Sequence, residues 1–96
     1  MIRFTIKQGD MVEREIQLDQ DKITLGRRED NDIVLPGPSV SRNHAIVECS
    51  HGRYIIADSY SANGTLVNKK AITSTELADN DEIVIAPYTI IVNILE

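Results

Sequence analysis

Apolar and polar residues alternate along most of this chain. Ile2, Phe4 and Ile6 alternate with Arg3, Thr5 and Lys7, the period of two expected of a strand with one buried face. Gly9 and Asp10 signal a turn. Val12, Ile16 and Leu18 then share one face of a second strand, with Glu13, Glu15 and Gln17 on the other. Arg14 interrupts the apolar face, which points to a sheet edge. Ile23 and Leu25 form a short third strand that stops at Gly26. Ile33, Val34 and Leu35 form a run ended by the breaker Pro36-Gly37-Pro38. Ala45, Val47 and Cys49 lie on one face of the next strand, and His44, Ile46 and Glu48 on the other. Ser50, His51 and Gly52 join it to residues 53–58, in which Tyr54 and Ile56 oppose Ile55 and Ala57. So short a connection predicts an antiparallel hairpin.

The last third of the chain is less regular. Thr65, Leu66 and Val67 form a brief strand, and Asn68, Lys69 and Lys70 read as a solvated turn. Residues 71–77 are weakly patterned. Residues 74–79 are the only helix candidate, and they are too short to stand alone. Asn80 and Asp81 mark a turn before a strand over 82–86, and Pro87 and Tyr88 lead into a last strand over 89–95. About ten short strands at this spacing, with no internal repeat, predict an all-β sandwich or barrel.

Composition narrows the function rather than the fold. With 96 residues, 42% of them apolar, the chain is expected to form a single domain over 1–96 with its own core. Without Trp and with a single Phe, that core is built from Ile, Val and Leu. The net charge of −5 argues against general nucleic-acid or membrane binding, which needs a basic field, but it leaves room for a small basic pocket. No apolar run is long enough to span a bilayer. The alternating start does not look like a signal peptide. The one cysteine, Cys49, has no internal disulfide partner, so a reducing, cytoplasmic location is expected.

Three polar segments interrupt the strands at points that matter: Gly26-Arg27-Arg28, residues 39–44 and residues 61–65. The middle one gathers the Ser41 hydroxyl, the Arg42 guanidinium and the His44 imidazole. A phosphomonoester carries about −1.5 to −2 charge and three acceptor oxygens, so its receptor needs cations and donors in a fixed fan. Arg27 starts from a defined strand end and offers a planar fork for paired charge-assisted bonds. Ser41 adds a hydroxyl, Arg42 a second cation, and the backbone N–H groups of residues 40–43 a nest if the loop curls. Asn63-Gly64 favours a tight turn with positive φ. The Asn63 amide would then project outward, suited to matching the C=O and N–H of an extended peptide. Taken singly, Arg27 and Arg42 are ordinary surface arginines, Ser41 a turn residue and Asn63 part of a turn; their order and spacing carry the argument.

His44 invites two other readings. Ser41, His44 and Asp58 are the residue types of a hydrolase triad, but no G-x-S-x-G elbow accompanies them. His44, Cys49 and His51 are zinc-ligand types, yet residues 44 and 49 face opposite sides of a strand and a fourth ligand is not evident. Both are set aside. No catalytic residue, metal or cofactor is assigned, and Cys49 reads as a small core residue.

The series Gly26-Arg27, Asn31-Asp32-Ile33-Val34-Leu35, Ser41-Arg42-Asn43-His44-Ala45, Asp58, Ser61-Ala62-Asn63-Gly64-Thr65 and Asn68 resembles the forkhead-associated (FHA) domain, with a core over about residues 23–95. The resemblance implies an eleven-stranded, mostly antiparallel β-sandwich. It implies a module that binds phosphothreonine in a partner protein downstream of a Ser/Thr kinase. Carried onto this chain, it gives Arg27 and Ser41, with Arg42 assisting, the phosphate, and Asn63 the peptide backbone. His44 would buttress the site from inside, with Gly26, Ser61 and Gly64 in support. Ala62 departs from the Ser or Thr that many members carry before Asn-Gly. Ser61 or backbone must replace the missing hydroxyl, and weaker binding is expected. A phospho-independent interaction domain on the same sandwich stays open as the alternative.

Overall fold

The computed structural model describes residues 1–95, which form eleven strands in two sheets. In chain order these are β1 (Ile2–Gln8), β2 (Met11–Leu18), β3 (Lys22–Gly26), β4 (Ile33–Val34), β5 (Ala45–Ser50), β6 (Arg53–Asp58), β7 (Leu66–Val67), β8 (Lys70–Ala71), β9 (Ser74–Leu77), β10 (Glu82–Ile85) and β11 (Tyr88–Ile94). One sheet has the order β2-β1-β11-β10-β7-β8 and the other β4-β3-β5-β6-β9. All pairings are antiparallel except that of β3 with β4.

The alternation of the sequence explains the packing. Ile2, Phe4 and Ile6 of β1, Ile83 and Ile85 of β10, and Ile90 and Val92 of β11 face inward from the first sheet. Ile23, Leu25, Val47 and Ile56 meet them from the second, and all of these side chains are buried in one cluster. Each full burial of this kind contributes about 1.5–3 kcal/mol, so the two sheets form a stiff base for the loops at their ends. Among the described residues, no helix is long and apolar enough to cross a membrane.

The structure departs from the sequence reading in three places. Residues 74–77, inside the helix candidate, form β9, paired with β6 through Tyr54 and Leu77, Ile55 and Glu76, Ile56 and Thr75, and Ala57 and Ser74. Only Leu77 of the four is buried; the sheet pairing, not an apolar stripe, holds this segment. Lys70, read as part of a turn, opens the two-residue strand β8. In β2, the register against β1 shifts so that Ile6 faces Arg14 and Lys7 faces Val12, which leaves Glu13 as a bulge. The bulge takes Val12 off the face of Ile16 and leaves Met11 and Val12 exposed. As the sequence predicts, β2 lies at a sheet edge. There the Arg14 guanidinium donates to the carbonyl of Val34, joining the outer strands of the two sheets.

Candidate functional site

The strand β3 ends against the loop that precedes β5. Arg27 N–H donates to the Ser41 carbonyl (3.0 Å), Arg28 N–H to the Arg42 carbonyl (3.2 Å) and His44 N–H to the Leu25 carbonyl (2.8 Å). Gly26 makes this approach possible. A Cβ placed there would sit 2.2 Å from the Arg42 carbonyl oxygen and 2.8 Å from Nδ2 of Asn31. Its role is therefore close contact, whereas Gly64, with φ 86°, supplies a left-handed turn with no neighbour in the way.

Asn31, to which the sequence reading gave no site role, is a bracing residue. It is buried, and its Nδ2 donates to the Arg28 and Arg42 carbonyls, at 2.9 Å each. One amide thus ties the two arginine-bearing loops together. The sequence signal of Asn31 is its place at the head of the run Asn31-Asp32-Ile33-Val34-Leu35, one of the pieces that carry the family resemblance. The neighbouring Asp32 carboxylate accepts from Thr24 N–H and hydroxyl, and the backbone bond from Thr24, opposed by partial burial, holds it below the ordinary carboxylate value.

His44 is fully buried and joins the second and third loops. Its Nδ1 accepts from the Ser41 backbone N–H (3.1 Å), and its Nε2 lies 2.9 Å from the Gly64 carbonyl. A backbone N–H only donates and a carbonyl only accepts, so the ring is neutral with its proton on Nε2. Both nitrogens are spent on backbone, which leaves neither to activate a serine. The Asp58 carboxylate is likewise committed elsewhere: it accepts from Ser61 N–H (3.0 Å), Ser61 hydroxyl (2.6 Å) and Thr65 hydroxyl (2.7 Å). Burial pushes the Asp58 carboxyl up, but the bonds from Ser61 and Thr65 outweigh it and hold it below the usual 3.8. Ser61 hydroxyl in turn accepts from Gly64 N–H (2.9 Å), so Asp58, Ser61 and buried Thr65 shape the turn that carries Asn63.

Ser41 and Asn63 lie where the middle loop meets that turn. Ser41 Oγ accepts from the Ala62 N–H (2.9 Å), which leaves its own hydrogen free to point at a ligand. Asn63 differs from the expectation that its amide simply projects outward. One N–H turns back to the Ser39 carbonyl (2.8 Å), leaving its oxygen and a second N–H exposed. The Arg27 side chain is steered by Nε, which donates to the Val40 carbonyl (3.1 Å), so its terminal nitrogens form a pre-aimed fork.

The arginines open onto a cavity of about 380 Å³ lined by Arg27, Arg28, Glu29 and Arg42. Arg28 is paired with Asp30 at 3.1 Å. Arg27 and Arg42 have no carboxylate partner among the described residues. The result is a cationic spot on a chain of net charge −5, suited to a compact anion rather than a long polyanion. Among the described residues, no group of His, Cys, Asp and Glu is arranged to hold a metal. A rigid sandwich whose end loops present cations, a hydroxyl and an amide has the build of an anion-recognition platform.

Comparison with known proteins identifies the family. The FHA domain profile matches residues 23–86, and the chain belongs to the FHA domain family. It is 35% identical over 88 residues to the glycogen accumulation regulator GarA of Mycolicibacterium smegmatis, covering 92% of this chain and 56% of that one. The chain thus spans little more than half the length of that relative. An FHA domain solved in a study of phosphothreonine-dependent FHA domain interactions superposes with a TM-score of 0.89 at 30% identity, covering 99% of this chain and 97% of its own. EmbR of Mycobacterium tuberculosis, solved with a low-affinity phosphopeptide, superposes with a TM-score of 0.88 at 31% identity, over 97% of this chain and 24% of its own.

Proposed function

We propose that this chain is a non-catalytic module that binds phosphothreonine in a partner protein. Binding would switch with the Ser/Thr kinase that phosphorylates that partner, in the cytoplasm, without a cofactor. One observation carries the reading: the Arg27 fork, fixed through Nε, and the Ser41 hydroxyl, whose hydrogen is free, belong to loops bonded to each other beside a cationic cavity. Family membership and the phosphopeptide-bound relative support it. In this reading Arg27 and Ser41 hold the phosphate and Arg42 adds charge. Asn63 uses its exposed oxygen and remaining N–H on the peptide backbone. Gly26, His44, Ser61 and Gly64 hold these groups in place.

The alternative, a phospho-independent interaction domain, rests on Ala62, whose side chain offers no donor where the turn meets Ser41. One titration separates the two. A peptide with degenerate flanks is presented in Thr, phosphothreonine, Ser and phosphoserine forms. Binding of the phosphothreonine form alone supports the reader. Equal binding of plain and phosphorylated forms overturns it. Arg27→Ala removes at least two bonds to a charged group, each about 1.5–3 kcal/mol. Affinity should therefore fall about 100-fold or more while the melting temperature holds. Retained affinity would remove Arg27 from the site.

A further inference from the structure

The cationic cavity contains one unpaired carboxylate. In the run Arg27-Arg28-Glu29-Asp30, Arg28 is neutralised by Asp30 at 3.1 Å. Glu29 lines the cavity but makes no ion pair or side-chain hydrogen bond among the described residues. A bare carboxylate beside a phosphate site is unfavourable once a dianion enters, because like charges at close range repel. The repulsion is relieved if the ligand brings its own cation to that edge.

The geometry also gives the edge a direction. The segment carrying Val40, Ser41 and Arg42 is bonded through Ser41 Oγ to the turn of Ala62 and Asn63, and through the Ser41 and Arg42 carbonyls to Arg27 and Arg28. Asn63 belongs to the first of these loops and Glu29 to the second, and only Glu29 lines the cavity. A peptide with its phosphate at Arg27 and Ser41 and its backbone held by Asn63 would bring its other flank past the cavity edge that Glu29 lines.

We propose that Glu29 is a specificity-determining residue that selects a lysine or arginine on the flank of the phosphothreonine opposite the one gripped by Asn63. This deepens the phosphopeptide reading and rests on it. The pair would be solvent-exposed, so it tunes choice among phosphopeptides rather than creating binding. A preference of about two- to fivefold is the scale of an exposed ion pair. It should shrink with added salt.

The test is an anisotropy titration of phosphothreonine peptides carrying Lys, Ala or Glu at each flanking position. The proteins are the wild type, Glu29→Gln, Glu29→Lys and the control Glu48→Gln. Glu48 is exposed on β5, towards the end of that strand away from the cavity, and its removal changes net charge equally. The wild type should favour Lys over Glu at positions on one flank. Glu29→Gln should erase that preference, Glu29→Lys should invert it, and Glu48→Gln should keep it. A preference that survives Glu29→Gln, or falls equally with Glu48→Gln, overturns the role of Glu29 while leaving phosphopeptide binding intact. Failure of every phosphopeptide to bind the wild type overturns the phosphopeptide reading, and this proposal with it.

Discussion

Replacing His44 with alanine tests how the site is held together. The ring is fully buried and makes two hydrogen bonds, at 3.1 Å from the Ser41 N–H and 2.9 Å to the Gly64 carbonyl. Truncation leaves a donor and an acceptor without partners, at about 1–3 kcal/mol each, and opens a cavity that adds to the loss. Water entering the polar space would recover part of it, so a net destabilisation of about 3–5 kcal/mol is expected. The whole domain is worth about 5–14 kcal/mol at the usual per-residue stability. At about 4–8 °C per kcal/mol for a chain of this size, the melting temperature should fall by about 12 °C or more. Circular-dichroism melts measure this directly. Phosphopeptide affinity should fall with it, because Ser41 and the turn bearing Asn63 lose their common anchor. His44→Leu fills most of the volume but restores neither bond, so its loss isolates the hydrogen-bond share. A His44→Ala protein that melts within about 4 °C of wild type would refute the assignment, since a single unmet bond already costs about that much.

Gly26→Ala should destabilise by about 1–3 kcal/mol, the scale of overpacking, because its Cβ would collide with the Arg42 carbonyl at 2.2 Å. Amide exchange at Arg27 and Arg28 should accelerate, and unchanged exchange would show that the loops do not need the contact. Asp58→Asn puts a donor where the carboxylate accepts three bonds and should cost about 1–3 kcal/mol near neutral pH. Because folding holds the Asp58 carboxyl below 3.8, its stabilisation is present above that value and is lost as the pH falls through the depressed one. The gap in urea midpoint between wild type and Asp58→Asn should therefore close below about pH 4; a gap that is constant with pH would contradict it. Ala62→Ser should tighten phosphopeptide binding by about tenfold, the worth of one hydrogen bond to a charged group, with no change in melting temperature. Unchanged affinity would mean that the phosphate does not reach this side of the turn.

The sandwich was legible wherever one face of a strand is buried, as in Ile2, Phe4 and Ile6 or Ala45 and Val47. It was illegible where pairing alone fixes the chain. The strand β9 alternates only weakly, with Leu77 buried and Thr75 half-buried, so a single apolar side chain carries its period. The bulge at Glu13 breaks the period of β2 midway. At the site the same division recurs. Arg27, Ser41, Arg42 and Asn63, the residues proposed to bind, stand out because binding an anion and a peptide backbone would need such side chains, and the loops that carry them are bonded to each other. The groups that hold those loops together are mostly backbone: the Ser41 N–H, the Gly64 and Arg42 carbonyls, and the space left by Gly26. A backbone group has no residue type, so only its partner leaves a trace in the sequence, as Asn31, His44 and Asp58 do. Polar residues that are buried beside a surface loop are therefore better guides to a site's rigidity than the exposed residues that do its binding. In this chain Asn31 fixes the arginine-bearing loops to each other, and His44 fixes them to the turn of Asn63. If these anchors set the spacing between phosphate and peptide contacts, loosening either should weaken binding more than its exposed neighbours Asn43 or Arg28 would.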